Sequence, residues 1–119
     1  MINFKKMKYT DELQRIRNLI AKFFEDNGIK IKGIILFGSM ARGDFSNYSD
    51  YDFLIITERT FTVKEKMEIS KKVREHLAKV AVDIILKSQS EIEAQKNQIG
   101  TVTREALKEG VEISHIKKY

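Results

Sequence analysis

The chain has no cysteine and no proline, and only two histidines, His76 and His115, among its 119 residues. Without cysteine there is no disulfide scaffold, no thiolate zinc site and no thiol nucleophile. So little histidine argues against a histidine-built metal centre and against a Ser-His-Asp hydrolase. The lack of proline leaves glycines and polar caps to mark the ends of elements. Long hydrophobic runs are missing as well. The longest, residues 33–38, is far short of the ~20 residues that a bilayer span needs. Lys5, Lys6 and Lys8 near the N-terminus are followed by no apolar stretch and no small-residue cleavage site, so no signal peptide is expected. These absences together predict a soluble, cytoplasmic protein.

What is present is the composition of a folded domain, 42% hydrophobic and 33% charged, which is neither a disordered tail nor a membrane protein. A chain of this size buries roughly two-thirds of its unfolded surface. That is enough for one core, so residues 1–119 are read as a single domain. The 22 basic and 17 acidic residues leave a net charge of +5. Such a balance suits nucleotides, nucleic acid or an acidic protein surface. Sixteen of the basic residues are lysines spread along predicted helices, however, which is how a solvated face reads.

The first helix is predicted over 10–26, where Leu13, Ile16, Ile20, Phe23 and Phe24 recur at helical spacing. Thr10 would cap it, Asp11 and Glu12 would suit its positive end, and Asn27-Gly28 would stop it. A central strand follows at 31–37, apolar on both faces, and Gly38-Ser39 breaks it before a short helix. Residues 41–49 are polar and turn-rich. A second strand spans 50–57 and a second long helix 63–79, with Val63, Met67, Val73 and Leu77 on one stripe. The third strand, 80–86, again reads as apolar on both faces. Ser90-Glu91-Ile92-Glu93 fits a capping box opening another helix, and a last helical stretch, 104–109, is stopped by Gly110. Residues 111–113 could add a short edge strand. This order predicts an α/β domain with a three- to four-stranded mixed sheet and helices packed against it.

Of six aspartates, three fall where a sheet tolerates charge least. Asp50 and Asp52 open the second strand, and positions two apart project to the same side. Asp83 lies inside the third strand and would face the same point if that strand pairs beside the second. No lysine or arginine lies within either stretch, and a buried carboxylate without a cation is costly. Carboxylates that converge without a basic partner suit hard divalent cations, magnesium or manganese. The alternative is that Asp50 caps a turn while Asp52 and Asp83 face solvent.

Gly38-Ser39 sits directly after the first strand. A glycine there lets backbone approach a phosphate, and the Ser39 hydroxyl with the following N–H groups can donate to its oxygens. The stretch is not a P-loop, because Ser39 rather than lysine follows Gly38, and no G-x-G-x-x-G is present. Arg42 could reach a phosphate or pair with Asp44.

Taken together, Gly38-Ser39, ten residues, Asp50-Tyr51-Asp52 and a later Asp83 form the G-S-x10-D-x-D pattern. This resembles the nucleotidyltransferase superfamily with the DNA polymerase β-like fold, and most closely its minimal nucleotidyltransferase (MNT) branch. Leu36-Phe37-Gly38-Ser39-Met40-Ala41-Arg42-Gly43 and Ser49-Asp50-Tyr51-Asp52-Phe53-Leu54 carry the likeness, which spans 31–86 and, more loosely, 109–113.

The resemblance implies transfer of a nucleoside monophosphate from an NTP, ATP in this family, to an acceptor hydroxyl. Asp50 and Asp52 would hold two magnesium ions, Asp83 would complete the metal shell and help deprotonate the acceptor, and Gly38, Ser39 and Arg42 would bind the nucleotide. Tyr51, pointing to the opposite face, is expected to pack. The core takes up most of these residues, so the acceptor is expected to dock from outside. Stand-alone MNT proteins of this kind commonly act as antitoxins that adenylylate a tyrosine of a HEPN-domain toxin. Ile92, Ile99, Val102 and Leu107 could face such a partner or simply cover the sheet. The implied alternatives are a small-molecule nucleotidyltransferase of aminoglycoside-modifying type, needing a homodimer, or an antitoxin that acts by contact alone. Membrane association and direct nucleic-acid binding are not expected.

Overall fold

A computed structural model describes residues 4–43 and 50–113, with the side chains of residues 4–10 left aside. The elements run α1 (Phe4–Asp26), β1 (Ile31–Phe37), α2 (Gly38–Arg42), β2 (Tyr51–Thr57), α3 (Val63–His76), β3 (Val82–Ser88), α4 (Gln89–Gln95), α5 (Val102–Glu109) and β4 (Val111–Glu112). The four strands form one sheet in the order β3-β2-β1-β4. β1 is antiparallel to both β2 and β4, whereas β2 and β3 run parallel. The mixed α/β sheet expected from the sequence is thus present. The turn segment at 44–49, including Asp44, lies outside the described residues.

The sheet separates two unequal layers. On one face Leu13, Ile16, Ile20 and Phe24 of α1 pack with Val73 of α3 and Leu77 just past its end against Tyr51, Phe53, Ile55, Ile84 and Leu86. On the other face a smaller cluster joins Ile35, Leu54 and Ala106 with the half-buried Phe37, Ile56, Ile85 and Ile92. The alternation of β2 divides its residues between these layers: Tyr51, Phe53 and Ile55 go to the large core, and Asp52, Leu54 and Ile56 to the small one. The carboxylates therefore lie on the thinly covered face.

Several expected boundaries shift for local physical reasons. α1 begins at Phe4, so Thr10 lies within the helix, and Glu12 sits past the first turn, where it accepts a hydrogen bond from Tyr51 Oη at 2.8 Å. Val63 and Met67 are not core residues of α3: they are 73% and 67% exposed, and the buried side is built from Ser70, Val73 and Leu77. α3 stops at His76, where the Leu77 and Val80 N–H groups take turn-type bonds. β3 starts later than expected and is an outer strand, covered chiefly on the face of Val82, Ile84, Leu86 and Ser88. The capping box of α4 is also two residues earlier, with Ser88 as the N-cap and Glu91 as its reciprocal partner. Ser90 instead contacts the Ser88 and Thr60 hydroxyls. α5 opens at Val102, capped by the Thr101 side chain. Among the described residues no helix is long and apolar enough to cross a membrane.

Candidate active site

Asp52 and Asp83 are opposing partners in the parallel ladder of β2 and β3. Because both strands begin there, the two carboxylates meet at one end of the sheet, on the side of the smaller cluster. Asp50 immediately precedes β2 and is exposed. The Asp52 carboxyl is pushed above the ordinary aspartate range. Burial contributes most, followed by the charge of Asp83, a hydrogen bond with Asp83 and the charge of Asp50; the Arg42 guanidinium works in the opposite direction.

Gly38 fits against this carboxylate. Its φ is +74°, a left-handed conformation that side-chain-bearing residues avoid. A Cβ placed on it would run into Asp52 Oδ2 and lie 3.2 Å from Asp52 Cγ. Phe37 pairs with Asp52 across β1 and β2, so the chain turns into α2 right beside the acid. Phe37 offers α2 no side-chain cap, and Met40 anchors the short helix in the large core. Gly38 and Ser39 are half-buried. The first turn of α2 therefore lies, without a side-chain cap, next to the Asp52–Asp83 pair.

Arg42, at the end of α2, has its Nη1 3.1 Å from Glu109 Oε1 on α5. Asp44 is outside the described residues, so the alternative pairing with it is not seen. No local sequence pattern signals Glu109 as a partner of Arg42, because the two lie on separate helices far apart in the chain. Gly110, next in the chain, has an ordinary φ, but a Cβ there would collide with Ala106 O and Ile35 Cγ2. That close approach holds the end of α5 against β1 and so places Glu109 over α2. Tyr51 is buried and stacks on Phe53 with ring centroids 6.0 Å apart, the packing role expected of it. The cations on the strands stand apart from the acids: Lys32 of β1 reaches Glu58 at 3.4 Å, and Lys87 lies four residues beyond Asp83 on β3.

Among the described residues no group of three His, Asp or Glu side chains is disposed, as it stands, to hold a metal ion. The Asp52–Asp83 pair nevertheless fits a hard divalent cation. It supplies oxygen donors only, and the burial and like charges that raise Asp52 are what a bound cation offsets. Asp50 would need to swing toward the pair to add a third ligand.

Residues 18–117 match the family model described as polymerase beta, nucleotidyltransferase. The chain belongs to this nucleotidyltransferase family. It is similar to a candidate protein adenylyltransferase of Methanocaldococcus jannaschii, with 37% identity over 65 residues, covering 55% of this chain. The match spans 63% of that relative's length. A solved toxin–antitoxin structure with AMP-PNP aligns at 25% identity and a TM-score of 0.58, over 81% of this chain and 70% of the other. A chain from the complex of tri-AMPylated Shewanella oneidensis HEPN toxin with MNT antitoxin aligns at 22% identity and a TM-score of 0.54, over 83% and 69%. That last likeness is one of fold.

Proposed function

We propose that this protein transfers AMP from ATP to a protein hydroxyl, with a tyrosine of a HEPN-domain toxin as the acceptor, and acts thereby as an antitoxin. The observation that carries the reading is the Asp52–Asp83 pairing with Gly38 set against Asp52. A carboxylate pair beside an uncapped helix turn offers a cation site and a phosphate site side by side. The name of the M. jannaschii relative and the nucleotide and HEPN toxin in the similar complexes support the choice of reaction and partner.

In this mechanism Asp52 and Asp83, joined by Asp50, would hold two magnesium ions, which when bound offset negative charge on the triphosphate and the leaving pyrophosphate. Gly38 and Ser39 would grip the terminal phosphates through backbone N–H groups and the Ser39 hydroxyl. Arg42, steadied by Glu109, would add a positive charge to the same phosphates. Asp83, the more exposed of the pair, would accept the proton of the acceptor hydroxyl as its oxygen attacks the α-phosphorus. Catalysis would then rest on positioning and electrostatics.

Co-expression with a HEPN-domain toxin tests the reading. The wild-type chain is expected to restore growth, and a variant carrying Asp50→Ala, Asp52→Ala and Asp83→Ala is expected to fail. Protection by the triple variant would mean neutralisation by contact alone. Transfer of AMP to an aminoglycoside but to no protein would mean a small-molecule enzyme.

A further inference from the structure

A groove of about 740 Å³ runs beside β3, outside the carboxylate site. Four successive strand residues line it, Ile84, Ile85, Leu86 and Lys87. Neighbouring side chains of a strand point to opposite faces. A groove touching all four therefore lies along the strand's edge and not over one face. β3 is the last strand of the sheet on that side, and an outer strand presents main-chain N–H and C=O groups to whatever lies beside it. The opposite wall is α3, whose Val63 and Met67 are largely exposed. Ser70 Oγ donates to Ile84 O at 3.3 Å and ties helix to strand. The lining is strongly cationic: Lys64, Lys71, Arg74 and Lys87 stand against one acid, Glu68. Lys66 is engaged with Glu91 at 2.6 Å.

We propose that the edge of β3 and the flank of α3 take up an extended acidic segment of a partner protein, which adds to the sheet as a further strand. In strand addition the main-chain ladder supplies affinity and alternate side chains supply specificity. Here the apolar pair Val63 and Met67 would receive hydrophobic side chains, and the cations fix the segment as acidic. The groove begins at Ile84, the residue after Asp83. A segment lying in it would reach the carboxylate pair and could deliver an acceptor hydroxyl there. Only this delivery step rests on the AMP-transfer reading; the binding does not.

The test is therefore made without nucleotide. Fluorescence polarisation would compare labelled, end-capped decapeptides alternating Glu with Val or Thr, the matching Lys peptides, and a ten-nucleotide oligo-dT. The acidic peptides are expected to bind preferentially and to slow amide exchange at residues 84–87. The double variant Lys71→Glu/Arg74→Glu should weaken them by roughly tenfold or more, while Lys72→Glu, on α3 but outside the groove, should not. Equal binding of acidic and basic peptides would overturn the proposal, as would unchanged exchange along β3. An equal effect of Lys72→Glu would reduce it to general charge attraction, and binding of oligo-dT alone would make the groove a nucleic-acid surface. Each of these results is independent of whether the protein transfers AMP.

Discussion

Asp52 and Asp83 face each other across the parallel pairing of β2 and β3, and Gly38 closes over Asp52 from the end of β1. Three strands thus converge on one pair of acids. Burial of Asp52 and the neighbouring charge of Asp83 both disfavour its ionised form, and that has measurable consequences.

Raised Asp52 means that the native state holds a proton more tightly than the unfolded chain does. Stability must then fall as pH climbs from the ordinary aspartate value, 3.8, through the raised one. Asp52→Asn removes this penalty. Urea denaturation at neutral pH should find the variant more stable, by less than about 1 kcal/mol because solvent partly screens the pair. The two proteins should converge as pH falls below the ordinary value. Added magnesium should raise the melting temperature of the wild type and leave the variant nearly unmoved.

Gly38 and Gly28 both have positive φ, +74° and +67°, but only Gly38 has a neighbour in the way of a Cβ. Gly28→Ala should cost about 1 kcal/mol, the backbone penalty alone. Gly38→Ala should cost more than Gly28→Ala, because Asp52 must move as well, and should abolish AMP transfer. Equal losses in denaturation would mean that the Gly38–Asp52 contact is slack.

Much of this arrangement was legible in the sequence. The bounds of β1 follow from an apolar run ended by Gly38-Ser39, and the inward turn of Tyr51, opposite Asp52, follows from period-two alternation. Asp50, expected beside Asp52 on the strand, instead precedes the strand. The α1 stripe follows from helical spacing. Expectation and structure part where two local patterns compete. Ser88-x-x-Glu91 and Ser90-x-x-Glu93 are equally good capping boxes on paper. Ser88 prevails because it ends β3 fully buried and receives the Thr60 hydroxyl at 2.7 Å. Val63 and Met67 fit a helical stripe as well as Val73 does, but nothing in sequence periodicity reveals that β3 is the sheet's edge and leaves their end of α3 uncovered. The Arg42–Glu109 bridge joins residues 67 positions apart, beyond the reach of any local pattern.

The two candidate caps can be separated directly. Ser88→Ala should lower stability by about 1 kcal/mol, the usual loss of an N-cap. Ser90→Ala should stay within about 0.5 kcal/mol. Chemical denaturation of both would check the assignment, and the reverse ranking would refute it.

Arg42 lowers the Asp52 carboxyl while bonding Glu109. Arg42→Ala should therefore raise the protonation midpoint of Asp52 in a carboxyl-carbon NMR titration and weaken nucleotide binding. Glu109→Gln should cost under about 1 kcal/mol in stability, since the bridge is solvent-accessible. An unshifted Asp52 midpoint in Arg42→Ala would show that the guanidinium is too distant to act on the site.

The central claim is that the Asp52–Asp83 pair supports AMP transfer to a protein. Intact-mass spectrometry of a HEPN-domain partner tests it most directly, after incubation with this protein, ATP and magnesium. Mass gains in steps of one AMP are expected, absent with Asp52→Asn and with Asp83→Asn although both variants remain folded. An unmodified partner in stable complex with the wild-type chain, or mass gains that persist in both variants, would contradict it.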